Sequence, residues 1–231
     1  MVFLRADEVF LHGGDGFYLL RRVPLAKLTA ECYNNKKAEK RGIAVLNWRD
    51  LEKTCAECKN CPLYVGRTNP VFGVGNRNAR VMFVGEGPGE REDALGEPFV
   101  GRAGQLLDSM LASIGMERSE VYIANIVKCR PPQNRDPLAE EQNACIGYLE
   151  NQIRLVSPDI LVCLGRIAAM RMIRDDFKIT REHGTWFERD GMRAMAIYHP
   201  AALLRDPTKL PETFEDLRKI EIALEELGNN Q

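Results

Sequence analysis

The sequence holds no run of about 18 uninterrupted apolar residues, so it encodes no membrane-spanning helix. Its opening, MVFLRADEVFLH, breaks its apolar character at Arg5, Asp7 and Glu8, unlike a secretory signal, and a cytoplasmic protein is expected. An excess of one charge is also missing. With 32 Lys and Arg against 33 Asp and Glu, the formal net charge is −1. That excludes a global field drawing in a polyanion and leaves any nucleic-acid binding to a local basic face. Neither an internal repeat nor a low-complexity tract is present. What remains is ordinary globular material: 231 residues, 45% apolar and 28% charged, enough for one α/β domain and an extension.

Four short apolar, β-rich runs stand out at Arg80–Gly85, Val121–Ile126, Asp159–Gly165 and Arg193–Tyr198. Between them lie helical spacings. Leu106, Leu107, Met110, Leu111 and Ile114 share one face, with Gly115 as the stop. A second helix follows Pro137 and carries Cys145, Leu149, Ile153 and Val156; a third spans about residues 167–173 and a last about 212–227. Strands alternating with helices predict an α/β fold, a three-layer α/β/α sandwich on a central four-stranded, mainly parallel sheet. Residues 1–45 fall outside this rhythm and form an N-terminal extension. His12–Gly16 reads as a turn between two apolar stretches and Asn34–Arg41 as a basic linker.

In an open α/β sheet ligands bind where the loops converge at the carboxyl ends of the strands. Three of the four runs end in chemically loaded residues. The first enters Gly85-Glu86-Gly87-Pro88-Gly89, with Glu92 and Asp93 behind it; the second ends at Asn125; the fourth ends at His199-Pro200. Each has a plain structural alternative. A glycine-rich loop can be only a tight turn, an Asn a backbone cap, a His before Pro a packed side chain. This glycine loop satisfies neither the P-loop nor the dinucleotide-binding pattern. Placement at one rim is what favours chemistry.

Seven cysteines in a chain expected to meet reducing conditions are poor material for a disulfide scaffold. Cys58 and Cys61 have the spacing that lets two thiolates from one turn reach a common metal, Cys129 opens the loop after the second run, and Cys145 lies on the following helix. Such a set suits zinc or a [4Fe–4S] cluster, and spacing does not decide between them. Cys55 makes a second such pair with Cys58, so the register is ambiguous too. Cys163 reads as a core residue, and Cys32 has no cysteine nearby.

Longer motifs add a resemblance. Cys58-x₂-Cys61-Pro62-Leu63, then Gly66-Arg67-Thr68, Val84–Gly89, Gly96–Gly104, Asn125–Pro132 and His199–Arg205 resemble, in order and spacing, the family 4 (iron–sulfur) uracil-DNA glycosylases over roughly residues 50–225. The resemblance implies a domain over residues 46–231 that hydrolyses the glycosidic bond of uracil flipped from single- or double-stranded DNA. It implies a [4Fe–4S] cluster on Cys58, Cys61, Cys129 and Cys145, with Cys55 as an extra thiol. It places uracil among Gly85, Glu86, Gly87, Phe99, Asn125 and His199. His199 would donate to uracil O2, and Glu86 would orient water, with Glu92 and Asp93 in reserve. Phe99 would stack and Asn125 would read the base edge. DNA contacts fall to Arg67, Lys128 and Arg205, with Leu203 as the wedge filling the vacated stack. The segment Cys129–Arg135 lacks the basic, His-containing insertion of relatives that trap DNA covalently, so turnover is expected, by a monomer. Two readings compete: a non-catalytic binder of damaged DNA, and a zinc-stabilised interaction module.

Overall fold

The structure is a computed structural model; it describes residues 2–5, 8–13, 16–20 and 44–229. The chain divides into two compact units, Met1–Val45 and Leu46–Gln231. In the first, β1 (Val2–Arg5), β2 (Glu8–Gly13) and β3 (Gly16–Leu20) form an antiparallel sheet in the order β1-β2-β3. Gly13 pairs with Gly16, so antiparallel strands flank the expected turn, whose residues 14 and 15 lie outside those described. The basic run 34–41 and Cys32 lie outside the described residues.

The second unit begins with α1 (Trp48–Ala56), whose start is capped by the Asn47 side chain accepting from the Asp50 N–H at 3.0 Å. There follow β4 (Val74–Gly75), β5 (Val81–Gly85), α2 (Glu90–Leu95), α3 (Arg102–Ala112), β6 (Tyr122–Asn125) and α4 (Ala139–Val156). The chain continues through β7 (Ile160–Leu164), α5 (Arg166–Met172), α6 (Ile179–Glu182), β8 (Phe187–Arg189), β9 (Met192–Ile197), α7 (Pro200–Arg205) and α8 (Leu210–Asn229). The sheet order is β4-β6-β5-β7-β9-β8. Its four inner strands are parallel and coincide with the four apolar runs; β4 and β8 pair antiparallel at the two edges. The expected count of four thus becomes six. The edge strands, two and three residues long, are too short and too exposed to leave an apolar run.

Alternation along the parallel strands builds three layers. Met82, Val84, Ala124, Leu161, Cys163 and Ala196 face Leu149 and Ile153 of α4 and Ala168 and Ala169 of α5. Val81, Phe83, Ile123, Val162, Leu164 and Ile197 face Leu107 and Leu111 of α3 and Leu217 and Ile220 of α8. Both faces being covered explains why these strands read as continuous apolar runs. All four end at the same rim, with Gly85 opposite Asn125 and Leu164 opposite Ile197. Among the described residues no helix is long and apolar enough to cross a membrane.

Candidate active site

That rim encloses a cleft of about 470 Å³ lined by Glu86, Phe99, Asn125 and His199 together. Gly85 lies beneath them. A Cβ there would overlap Asn125 Oδ1 and stand 2.7 Å from Phe99 Cζ, so only glycine lets the amide and the ring approach each other. The Asn125 amide is buried, and among the described residues its Oδ1 has no hydrogen-bond partner. A buried acceptor left unpaired costs about 1–3 kcal/mol, a cost a ligand N–H would remove.

His199 caps the start of α7, its Nδ1 accepting from the Ala201 N–H at 3.1 Å. The ring's single proton in the neutral form therefore sits on Nε2. Burial, helped by the Arg205 cation and opposed by Glu92, lowers the His199 pKa to about 4, so the ring is neutral at pH 7. Gly165, at φ +85° just past β7, makes room for it: a Cβ would stand 2.8 Å from His199 Cβ. The His199 and Phe99 rings have centroids 5.6 Å apart. For Glu86, burial and secondarily the Asp136 carboxylate push the pKa up to about 7, with Arg166 pulling it down.

The other two carboxylates are engaged elsewhere. Glu92 Oε1 accepts from the N–H groups of Val100 (3.0 Å) and Gly101 (2.8 Å), fixing the turn that presents Phe99. Asp93 is buried and accepts from the Thr68 N–H through both oxygens at 3.0 Å.

Among the residues expected to touch DNA, Arg205 alone is exposed, and it lines the cleft. Two of these residues are buried. Lys128 is 1% exposed, its ammonium turned inward to the Asn125 carbonyl (2.9 Å) and Gln152 Oε1 (2.6 Å) rather than toward the surface. Leu203 is also 1% exposed and packs into the core, whereas Leu204 is 39% exposed. Arg67 is half-buried; its guanidinium donates to Cys129 Sγ (3.2 Å) and to the Ala56 carbonyl (2.9 Å). Sequence reading also missed Asp136, Gly165, Arg166 and Tyr198, which line the cleft. Asp136 and Arg166 pair across it at 2.6 Å. The carboxyl-end rule applied to the third run would have flagged Gly165-Arg166; Asp136 carried no comparable signal.

A second, small pocket is lined by Cys55, Cys58, Cys61, Cys129 and Cys145. Cys129 Sγ accepts from Arg67, and Cys145 Sγ accepts from the Lys128 N–H at 3.3 Å. Among the described residues no three His, Cys, Asp or Glu side chains are placed to share one metal ion. Six free cysteines occur there, the sixth being Cys163, fully buried within β7 as expected.

The uracil DNA glycosylase superfamily model matches residues 72–225. The type-4 uracil-DNA glycosylase of Archaeoglobus fulgidus is 45% identical over 179 residues, covering 74% of this chain and 90% of that protein. That of Thermotoga maritima is 48% identical over 155 residues, 65% of this chain and 79% of that one. A type-5 uracil-DNA glycosylase of Pyrobaculum aerophilum is 34% identical over 157 residues, covering 61% and 68%.

Proposed function

This chain belongs to the uracil DNA glycosylase superfamily and, within it, to the type-4 enzymes, and from that premise we propose that it hydrolyses the glycosidic bond of uracil flipped out of single- or double-stranded DNA, initiating base excision repair. The observation carrying this reading is the buried, unpaired Oδ1 of Asn125 in a cleft shared with Phe99, His199 and Glu86.

Uracil offers an N3–H donor between two carbonyls. Asn125 Oδ1 accepts that proton, and the same amide's NH₂ donates to O4. Cytosine presents a lone pair at N3 and an amine at position 4, which sets acceptor against acceptor and strands a buried group at about 1–3 kcal/mol. Phe99 stacks on the ring. Neutral His199 donates Nε2–H to O2, where negative charge gathers as the C1′–N1 bond breaks and its electron pair leaves with the base. Backbone N–H groups of the Gly85–Gly87 turn are further donors in this scheme. Glu86, as carboxylate, orients water toward C1′ and takes its proton. The sugar gains hydroxide, and the departing base is reprotonated from solvent.

Arg205 serves as a phosphate contact at the mouth of the cleft. Leu204, rather than Leu203, fills the gap left in the stack, being the exposed leucine of the pair. Cys58, Cys61, Cys129 and Cys145 hold a [4Fe–4S] cluster, with Cys55 in the pocket wall. Their thiols, with that of Cys55, line one small pocket, a donor set whose chemistry fits the group. Burial raises the pKa of the Cys129 thiol and pushes that of Cys145 up to about 11, and the N–H donors to these two sulfurs offset part of that. When bound, the cluster ties the loop after β6 to the segment after α1, a structural task. All the residues named lie on one chain, so a monomer suffices, and the reading places the protein in the cytoplasm.

The test is release of free uracil from uracil-containing oligonucleotides without added metal, with His199→Ala about 10²–10³-fold slower. Binding with no abasic product would leave a damage binder in place of an enzyme.

A further inference from the structure

We infer that Lys128 is a positioning residue that transmits the geometry of the cysteine pocket to Asn125; the inference rests on the functional reading above. Lys128 touches both sites. Its backbone N–H donates to Cys145 Sγ (3.3 Å), and its carbonyl accepts from the Val71 N–H (2.7 Å). Its side chain folds back so that Nζ donates to the Asn125 carbonyl (2.9 Å) and to Gln152 Oε1 (2.6 Å). Gln152 is anchored in turn, its Nε2 donating to the Phe72 carbonyl (2.8 Å) and the Tyr122 hydroxyl (3.2 Å).

The Asn125–Ile126 peptide is thereby held at both of its polar atoms, since the Ile126 N–H donates to the Gly85 carbonyl at 2.9 Å. With that peptide fixed and the amide pressed between Gly85 and Phe99, Oδ1 has little freedom to swing. A cation this deeply buried persists only with full hydrogen bonding or compensating charge. Two neutral oxygens accept from it here. Removing the ammonium orphans two buried acceptors, the Asn125 carbonyl and Gln152 Oε1, and releases one side of the base-reading peptide.

The experiment compares holoprotein of wild type and Lys128→Met by iron and acid-labile sulfide content, inhibition of excision by free uracil, and affinity for abasic-site DNA. Lys128→Met is expected to keep its iron and its DNA affinity while the uracil inhibition constant rises about tenfold. Iron-replete Lys128→Met that is inhibited like wild type overturns the inference. Should that variant fail to load iron, Gln152→Leu decides: it loosens the ammonium without altering the residue beside Cys129. A rise of about threefold in the constant is then expected, and no rise overturns the inference. Wild-type protein that releases no uracil would instead sink the functional reading and this inference with it.

Discussion

Raising the pH from about 6 to about 8 puts the assignment of Glu86 to a direct test. Burial, and then the neighbouring Asp136, lift its carboxyl from an ordinary 4.5 to about 7, against the pull of Arg166. Only the carboxylate can take a proton from water, and its population climbs from about one tenth at pH 6 to about nine tenths at pH 8. His199 does not interfere, since with a pKa near 4 it stays neutral across this range. Under single-turnover conditions, which isolate the chemical step from product release, the excision rate is expected to rise about tenfold with one ionisation near neutrality. The direction of each neighbour's effect follows from its charge. Asp136→Asn removes a repulsive anion and moves the midpoint to lower pH; Arg166→Gln removes a stabilising cation and moves it higher. Glu86→Gln abolishes the limb and slows excision about 10²–10⁴-fold. A flat wild-type profile, or a limb that survives in Glu86→Gln, would refute the reasoning.

Gly85→Ala places a methyl group against Asn125 Oδ1 and the Phe99 ring. Excision is expected to fall at least about 100-fold while circular dichroism stays that of wild type, and near-normal activity would mean that the two side chains do not bracket the base. Asn125→Asp is expected to slow uracil release and relax discrimination against cytosine, measured as the ratio of the two excision rates; an unchanged ratio counts against the amide as reader. Cys129→Ala is expected to lose the visible absorbance of the cluster and much of its thermal stability, whereas Cys55→Ser keeps its iron; iron loss in the latter moves the ligand set. Leu204→Ala is expected to lower excision from duplex more than from single strands, and equal losses would remove the wedge.

The four inner strands were legible because a parallel strand covered on both faces must be apolar throughout, as Val81–Gly85 and Ile160–Leu164 are. The edges were not, because Val74–Gly75 and Phe187–Arg189 face solvent and pair over only two or three residues. Glu86, Asn125 and His199 were legible for a topological reason: each closes a parallel strand, and all parallel strands end at one rim. The burial of Lys128 and Leu203 was not legible, for a shared reason. Position along the chain does not give the direction of a side chain. On α7 neighbouring residues point about 100° apart, so the step from Leu203 to Leu204 is the step from core to water. The lysine's long stem folds back three residues to Asn125, which no local pattern announces.

Phe99 adopts φ +54°, a left-handed backbone that a bulky residue takes up only when its surroundings insist. Here Glu92 grips the two peptides that follow, and the chain doubles back so tightly that Gly104 has no room for a methyl group beside the Phe99 carbonyl. The aromatic wall is therefore a gauge rather than a jaw. On the proposed reading, a base swung outward would meet a wall set by the backbone itself rather than by a freely turning side chain.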